Sequence, residues 1–146
     1  MENINISQLY NNETIKDISS IEVQLGKQKK KKYQNTSFYF STEGFVPLEK
    51  TIWNNFREYN SHSTLKIRTE EWEKIIRGFK KLSVLLKSTE YNDETTDLLG
   101  FKSNGKHEDY KKNFASINKD IDIMLTGFID WIEPELPNHS HITITV

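Results

Sequence analysis

Apolar residues recur along this chain with two different periods, and the switches between them mark its elements. Ile21-Glu22-Val23-Gln24-Leu25 alternates apolar and polar, the pattern of a half-buried strand. After Gly26 and a lysine-rich stretch the alternation resumes, with Thr36, Phe38 and Phe40 on one side and Ser37, Tyr39 and Ser41 on the other. These two runs predict a hairpin over 21–41 whose tip carries Lys27–Lys32, closed by Glu43-Gly44. Leu48, Ile52, Phe56 and Tyr59 then follow at helical spacing, with Trp53 widening the face. They predict a short helix over 47–59 that starts at Pro47, where a missing N–H costs nothing. Thr64–Arg68 reads as a strand.

Two longer stripes follow. Trp72, Ile75, Ile76, Phe79, Leu82 and Leu86 keep i, i+3, i+4, i+7 spacing and predict a helix over 70–87. Thr69 is its expected N-cap, and Glu70 and Glu71 suit the positive end of the helix dipole. Gly78 is the weak point, costing on the order of 1 kcal/mol against alanine unless a close contact requires it. Tyr110, Phe114, Ile117, Ile121, Met124, Leu125, Phe128, Trp131 and Ile132 predict a second long helix over 108–133, stopped by Pro134. Gly127 is expected to mark a close approach. Between the helices, 88–107 is polar and turn-rich, with Leu98, Leu99 and Phe101 as anchors. His141–Val146 reads as a β-branched strand with Ile142, Ile144 and Val146 on one side. Ile4, Ile6 and Leu9, and Ile15 with Ile18, suggest a short strand or helical turns. The fold class is therefore α+β: a mostly antiparallel sheet with both long helices on one face.

Composition narrows the picture. At 146 residues, one domain over 1–146 is expected. Hydrophobic residues make up only 35%, but aromatics reach 12%, which argues against general disorder. The absence of cysteine excludes disulfides, thiolate catalysis and cysteine-containing zinc sites. Met1–Asn5 lacks a basic segment and an apolar run, and no stretch approaches the ~20 apolar residues of a membrane span, so a cytoplasmic location is expected. A net charge of −1 lacks the basic excess usual in a nucleic-acid binder.

Candidate chemistry falls into three groups. The lysine run Lys27–Lys32 can meet phosphates or an acidic partner through sequence-independent attraction, or serve as a solvated turn that discourages edge pairing. Among the histidines, His62-Ser63-Thr64 and His141-Ile142-Thr143 each open a predicted strand. This pair of His-x-Thr elements resembles the two-histidine phosphoesterases, which cut cyclic or 2′–5′ phosphodiesters. The resemblance implies that His62 and His141 serve as general base and general acid while Thr64 and Thr143 hold the phosphate. Imidazole suits that work near neutral pH. His139-Ser140-His141 also has a spacing that places two imidazoles on one strand face, but a metal needs a third ligand. The carboxylates form the third group. Asp120, Asp122, Asp130 and Glu133 lie on the last predicted helix, and Glu90, Asp93, Glu94 and Asp97 in the polar segment. Neither set has the spacing of a calcium loop. Glycine-rich phosphate loops and nucleophile elbows are absent.

Elimination leaves binding. The expectation is a small cytoplasmic protein-binding inhibitor without cofactor, metal, small-molecule ligand or membrane contact, and with nucleic acid ranked below a protein partner. Its size and composition give it the general look of bacterial immunity proteins, which neutralise a cognate toxin, some of them basic nucleases. The expected contact surface is Glu90, Tyr91, Asp93, Glu94 and Asp97, with Tyr91 as an exposed aromatic. The alternatives are the phosphoesterase-like enzyme and a nucleic-acid module built on the Lys27–Lys32 hairpin.

Overall fold

The computed structural model describes residues 20–26, 37–102 and 105–145. The apolar positions before Ser20, the Lys27–Lys32 tip and Val146 lie outside them. Four strands form one antiparallel sheet: β1 (Ser20–Leu25), β2 (Phe38–Ser41), β3 (Leu65–Arg68) and β4 (His141–Thr145), in the order β2-β1-β4-β3. The hairpin expected from the alternating pattern is present, with Ile21 opposite Phe40 and Val23 opposite Phe38. β4 lies between β1 and β3, pairing Val23 with Ile144 on one side and Ile67 with Ile142 on the other.

Alternation sorts the side chains as the pattern requires. Ile21, Val23, Phe38, Phe40, Ile67, Ile142 and Ile144 join the hydrophobic core, which the helices cover. The other face departs from the half-exposed expectation: Glu22, Gln24, Thr143 and Thr145 are buried too. Their polar atoms are hydrogen-bonded, as buried polar groups must be. Gln24 donates to Glu22 Oε1 at 3.1 Å, Thr145 donates to Gln24 Oε1 at 3.3 Å, and Thr143 donates to the Gly26 carbonyl at 2.8 Å.

Helix α1 runs over Thr42–Asn55, starting and ending earlier than expected. The Ser41 hydroxyl accepts from the Gly44 N–H at 2.9 Å, so Glu43-Gly44 is a first turn and not a stop. Such a cap is worth about 1 kcal/mol. Pro47 therefore sits inside the helix, where it removes one backbone bond. Phe56 adopts extended backbone, and its N–H closes the last turn onto Ile52 at 2.7 Å.

Helix α2 (Thr69–Leu86) follows β3 directly. Thr69 is its first helical residue, and the cap position falls on Arg68, whose side chain makes no capping bond. The Thr69 N–H instead donates to the Ser140 carbonyl at 3.1 Å, so a neighbouring chain segment satisfies what a cap would have. The predicted stripe Trp72, Ile75, Ile76, Phe79, Leu82 and Leu86 is buried in full. Gly78 has its packing reason: an added Cβ would collide with Asn55 Nδ2 and stand 3.0 Å from Thr51 Cγ2 on α1.

A short helix, α3 (Asp93–Leu98), occupies the polar segment, capped by Asn92 Oδ1 accepting from the Thr95 N–H at 3.0 Å. Leu99 and Phe101 anchor it to the core, as expected. Helix α4 (His107–Ile132) contains a kink at Asn113, whose side-chain amide donates to the Asp109 carbonyl at 3.1 Å. A 3-10 helix over Glu133–Asn138 follows and leads into β4. Gly127 faces open space, contrary to the expected close approach. Phe128 is the hub of the packed layers, with ring centroids 5.2 Å from Phe38, 5.6 Å from Phe40, and 6.0 Å from both Trp72 and Phe79. Among the described residues, no helix is long and apolar enough to cross a membrane.

Candidate functional site

The register of β3 and β4 decides where the His-x-Thr elements stand. His141 lies opposite Arg68, the last residue of β3, whereas His62 precedes Leu65 at the other end of that strand. The span Leu65–Arg68 alone is roughly 10 Å at ~3.3 Å per residue, so the two imidazoles are not brought together. Thr143 is buried and donates to Gly26, while Thr64 is exposed. His62 sits in the turn after α1, its N–H donating to Asn60 Oδ1 at 2.8 Å. Nor do His139 and His141 share a strand face. His139 ends the 3-10 helix and faces Glu135 at 3.4 Å, while His141 Nδ1 is 2.9 Å from the Ser140 hydroxyl. Among the described residues, no three His, Asp or Glu side chains are grouped to hold a metal.

Two of the carboxylates assigned to the last helix, Asp122 and Glu133, are engaged by side chains of α2 and its C-cap. Asp122 meets Lys87 at 3.2 Å and the Ser83 hydroxyl at 2.5 Å, and Glu133 meets Lys80 at 2.6 Å. The segment expected to bind a partner is partly drawn into the fold. Tyr91 is half-buried rather than exposed, its ring 5.9 Å from Phe114 and 6.2 Å from Tyr110. Its hydroxyl donates to Asp93 Oδ1 at 2.8 Å and lies 2.7 Å from His107 Nε2. That hydroxyl, with Lys102 nearby, holds the Asp93 carboxyl below its ordinary range. Glu90, Glu94 and Asp97 are exposed, as expected.

A residue read as core from the sequence, Trp53, stands at the surface beside them. On α1 the buried stripe is Phe45, Leu48 and Ile52. Trp53 stands one residue past Ile52, ~100° around the helix, and is 46% exposed. The Arg57 guanidinium lies 3.8 Å from the centre of its ring, a cation–π contact. Two clefts meet at Trp53 and Lys50. One, of about 460 Å³, runs between α1, the end of α2 and α3, and includes Leu85, Glu94, Asp97 and Leu98. The other, of about 490 Å³, is walled by Glu49, Tyr59, Asn60 and Ser61.

The electrostatics of the clefts follow from their spacing. Lys50 Nζ bonds Asp97 Oδ1 at 2.9 Å, and this contact lowers the Asp97 pKa. Glu94 makes no ion pair among the described residues, and neither does Glu49. Burial raises the Glu49 pKa, opposed by the Tyr59 hydroxyl donating at 2.9 Å and by nearby His62. The same burial, with the Glu49 charge beside it, raises the Tyr59 pKa. A half-desolvated carboxylate beside an exposed indole is suited to receiving a cation.

The sequence did contain a signal for Trp53. A large aromatic one position off an otherwise complete apolar stripe has no core partner assigned by the helical period. In comparison with known proteins, no family model matches the chain, and no curated protein or solved structure matches it.

Proposed function

We propose that this chain is a small protein-binding inhibitor that works in the cytoplasm, of the kind represented by bacterial immunity proteins, and that it neutralises a cognate toxin. The observation that carries the reading is Trp53, nearly half exposed between two adjoining clefts. Tryptophan is a favoured hot-spot residue because it buries a large rigid area at low conformational cost. The α3 acids Glu94 and Asp97 stand on the rim of one cleft, where charges steer association more than they add affinity. The docking surface is thus the α1–α3 cleft, and Glu94 and Asp97 are the part of the expected acidic surface that reaches it.

The test is co-expression with the product of the neighbouring gene. The reading expects a stable complex, loss of that product's toxicity, and loss of both in Trp53→Ala with an unchanged melting temperature. A neighbour whose toxicity is unaffected by this chain, or a complex indifferent to Trp53, would overturn it.

A further inference from the structure

We propose that the cleft walled by Glu49, Trp53 and Tyr59 is an arginine pocket, which receives the guanidinium of an arginine on the surface of a protein partner. This rests on the reading of the Trp53 surface as a docking site and names the chemistry of what docks.

The exposed indole already stacks with a guanidinium, that of Arg57 at 3.8 Å, so an incoming arginine takes the place of Arg57 on the ring or stacks on its other face. Arginine suits the cleft better than lysine, since its flat, weakly hydrated head stacks on aromatic rings and its fork matches a carboxylate. Glu49 supplies that carboxylate. It is partly buried, it makes no ion pair among the described residues, and it accepts a hydrogen bond from the neutral Tyr59 hydroxyl. Two more acids, Glu94 and Asp97, line the adjoining cleft, and the amine facing them, Lys50, is already bonded to Asp97. Three carboxylates against two committed cations, Lys50 on Asp97 and Arg57 on Trp53, leave the pair of clefts net negative and complementary to an incoming cation. The volume of about 490 Å³ accommodates an arginine side chain with its flanking backbone. Asn60 and Ser61, at the rim, offer polar groups to that backbone.

The closing experiment titrates the full chain with a capped peptide containing one arginine, with the same peptide carrying neutral citrulline, and with agmatine. Binding is followed by tryptophan fluorescence and by the indole N–H signals in two-dimensional NMR. The expected result is saturable, salt-sensitive binding of the arginine peptide, with the Trp53 signal moving and those of Trp72 and Trp131 still. The citrulline peptide should bind at least about tenfold more weakly, and Glu49→Gln should lose a similar factor, as expected for a charge-assisted bond. Equal binding of the citrulline peptide, an unaffected Glu49→Gln variant, or no movement of Trp53 would each overturn the pocket. Agmatine binding as tightly as the peptide would assign the cleft to a small organic cation and overturn the protein source. No cognate toxin enters this titration. Failure of the peptide alongside successful toxin capture therefore removes the pocket alone, and the converse removes the inhibitor reading alone.

Discussion

The indole N–H of Trp72 donates to the Ile142 carbonyl at 2.9 Å, tying the first turn of α2 to a central strand 70 residues away. The ring is also fully buried against Phe128. Trp72→Phe removes the donor and part of the ring volume together. The expected cost is about 2–4 kcal/mol in urea denaturation at unchanged slope. A loss below ~1 kcal/mol would mean that the bond is replaced by solvent at no penalty.

Two glycines on long helices are expected to respond to alanine with opposite signs. At Gly127 a Cβ meets nothing, so alanine should gain roughly 0.4–1 kcal/mol by restricting the unfolded chain. At Gly78 the methyl would displace Asn55, whose amide is held by the Thr51 carbonyl at 2.8 Å, and would press on Thr51 itself. Net destabilisation of about 1–3 kcal/mol is expected there. Paired thermal melts of the two variants test the difference, and a stabilised Gly78→Ala would show that α1 and α2 part more easily than their packing implies.

Those glycines also show how far the sequence could be read. The stripes on α2 and α4 were legible because a 3.6-residue period survives whatever tertiary partner covers it. The role of Gly78 depends on which helix lies opposite, and that is a tertiary fact. The same limit explains the start of α1. Glu43-Gly44 and Pro47 carry stop and start signals, yet one hydroxyl, that of Ser41, outweighs them by capping three residues ahead. The His-x-Thr resemblance failed on register. Nothing local in Ser61–Ile67 or Ser140–Val146 says that these two segments pair antiparallel, with their histidines at opposite ends. In the candidate site, the acids of α3 were legible as an exposed charged segment, but Glu49 was not, because its hydrogen-bond donor, Tyr59, is brought to it across a turn.

Alkaline pH should destabilise the fold through Tyr110. Burial pushes its hydroxyl up to about 12, and it donates to the buried Asn118 Oδ1 at 2.7 Å. An unfolded tyrosine titrates near ~10, so between about pH 10 and 12 the folded state holds a proton that the unfolded state has lost. Stability therefore falls as pH rises through that window, and Tyr59, raised in the same direction, adds to the fall. Tyr110→Phe should be less stable at pH 7, since Asn118 loses its donor, but should show a shallower decline above pH 10. Parallel curves for the two proteins would contradict the assignment.

Glu49→Gln is expected to raise the melting temperature at neutral pH. The carboxyl is raised by burial, so its contribution is greatest below the unfolded value of ~4.3 and is lost as pH rises through the folded one. A glutamine can still accept from Tyr59 while shedding the half-desolvated charge. The gain over the parent should be larger at pH 7 than at pH 3, as read by calorimetry at both. A binding residue that costs the fold stability is the usual compromise of a docking site.

The strand order has a kinetic consequence. Gln24 and Thr145, hydrogen-bonded across the centre of the sheet, are 121 residues apart. β1 with β2, and β3 with α2, can each form from neighbouring sequence, but only β4 joins the two halves. Closing so long a loop is slow, because its entropy is lost before any pairing rewards it. On a ribosome, the sheet would stay in two pieces until His141–Thr145 had emerged, with the apolar edges of β1 and β3 uncovered in the meantime. Chaperone demand during synthesis, rather than instability of the finished fold, is the vulnerability this topology creates.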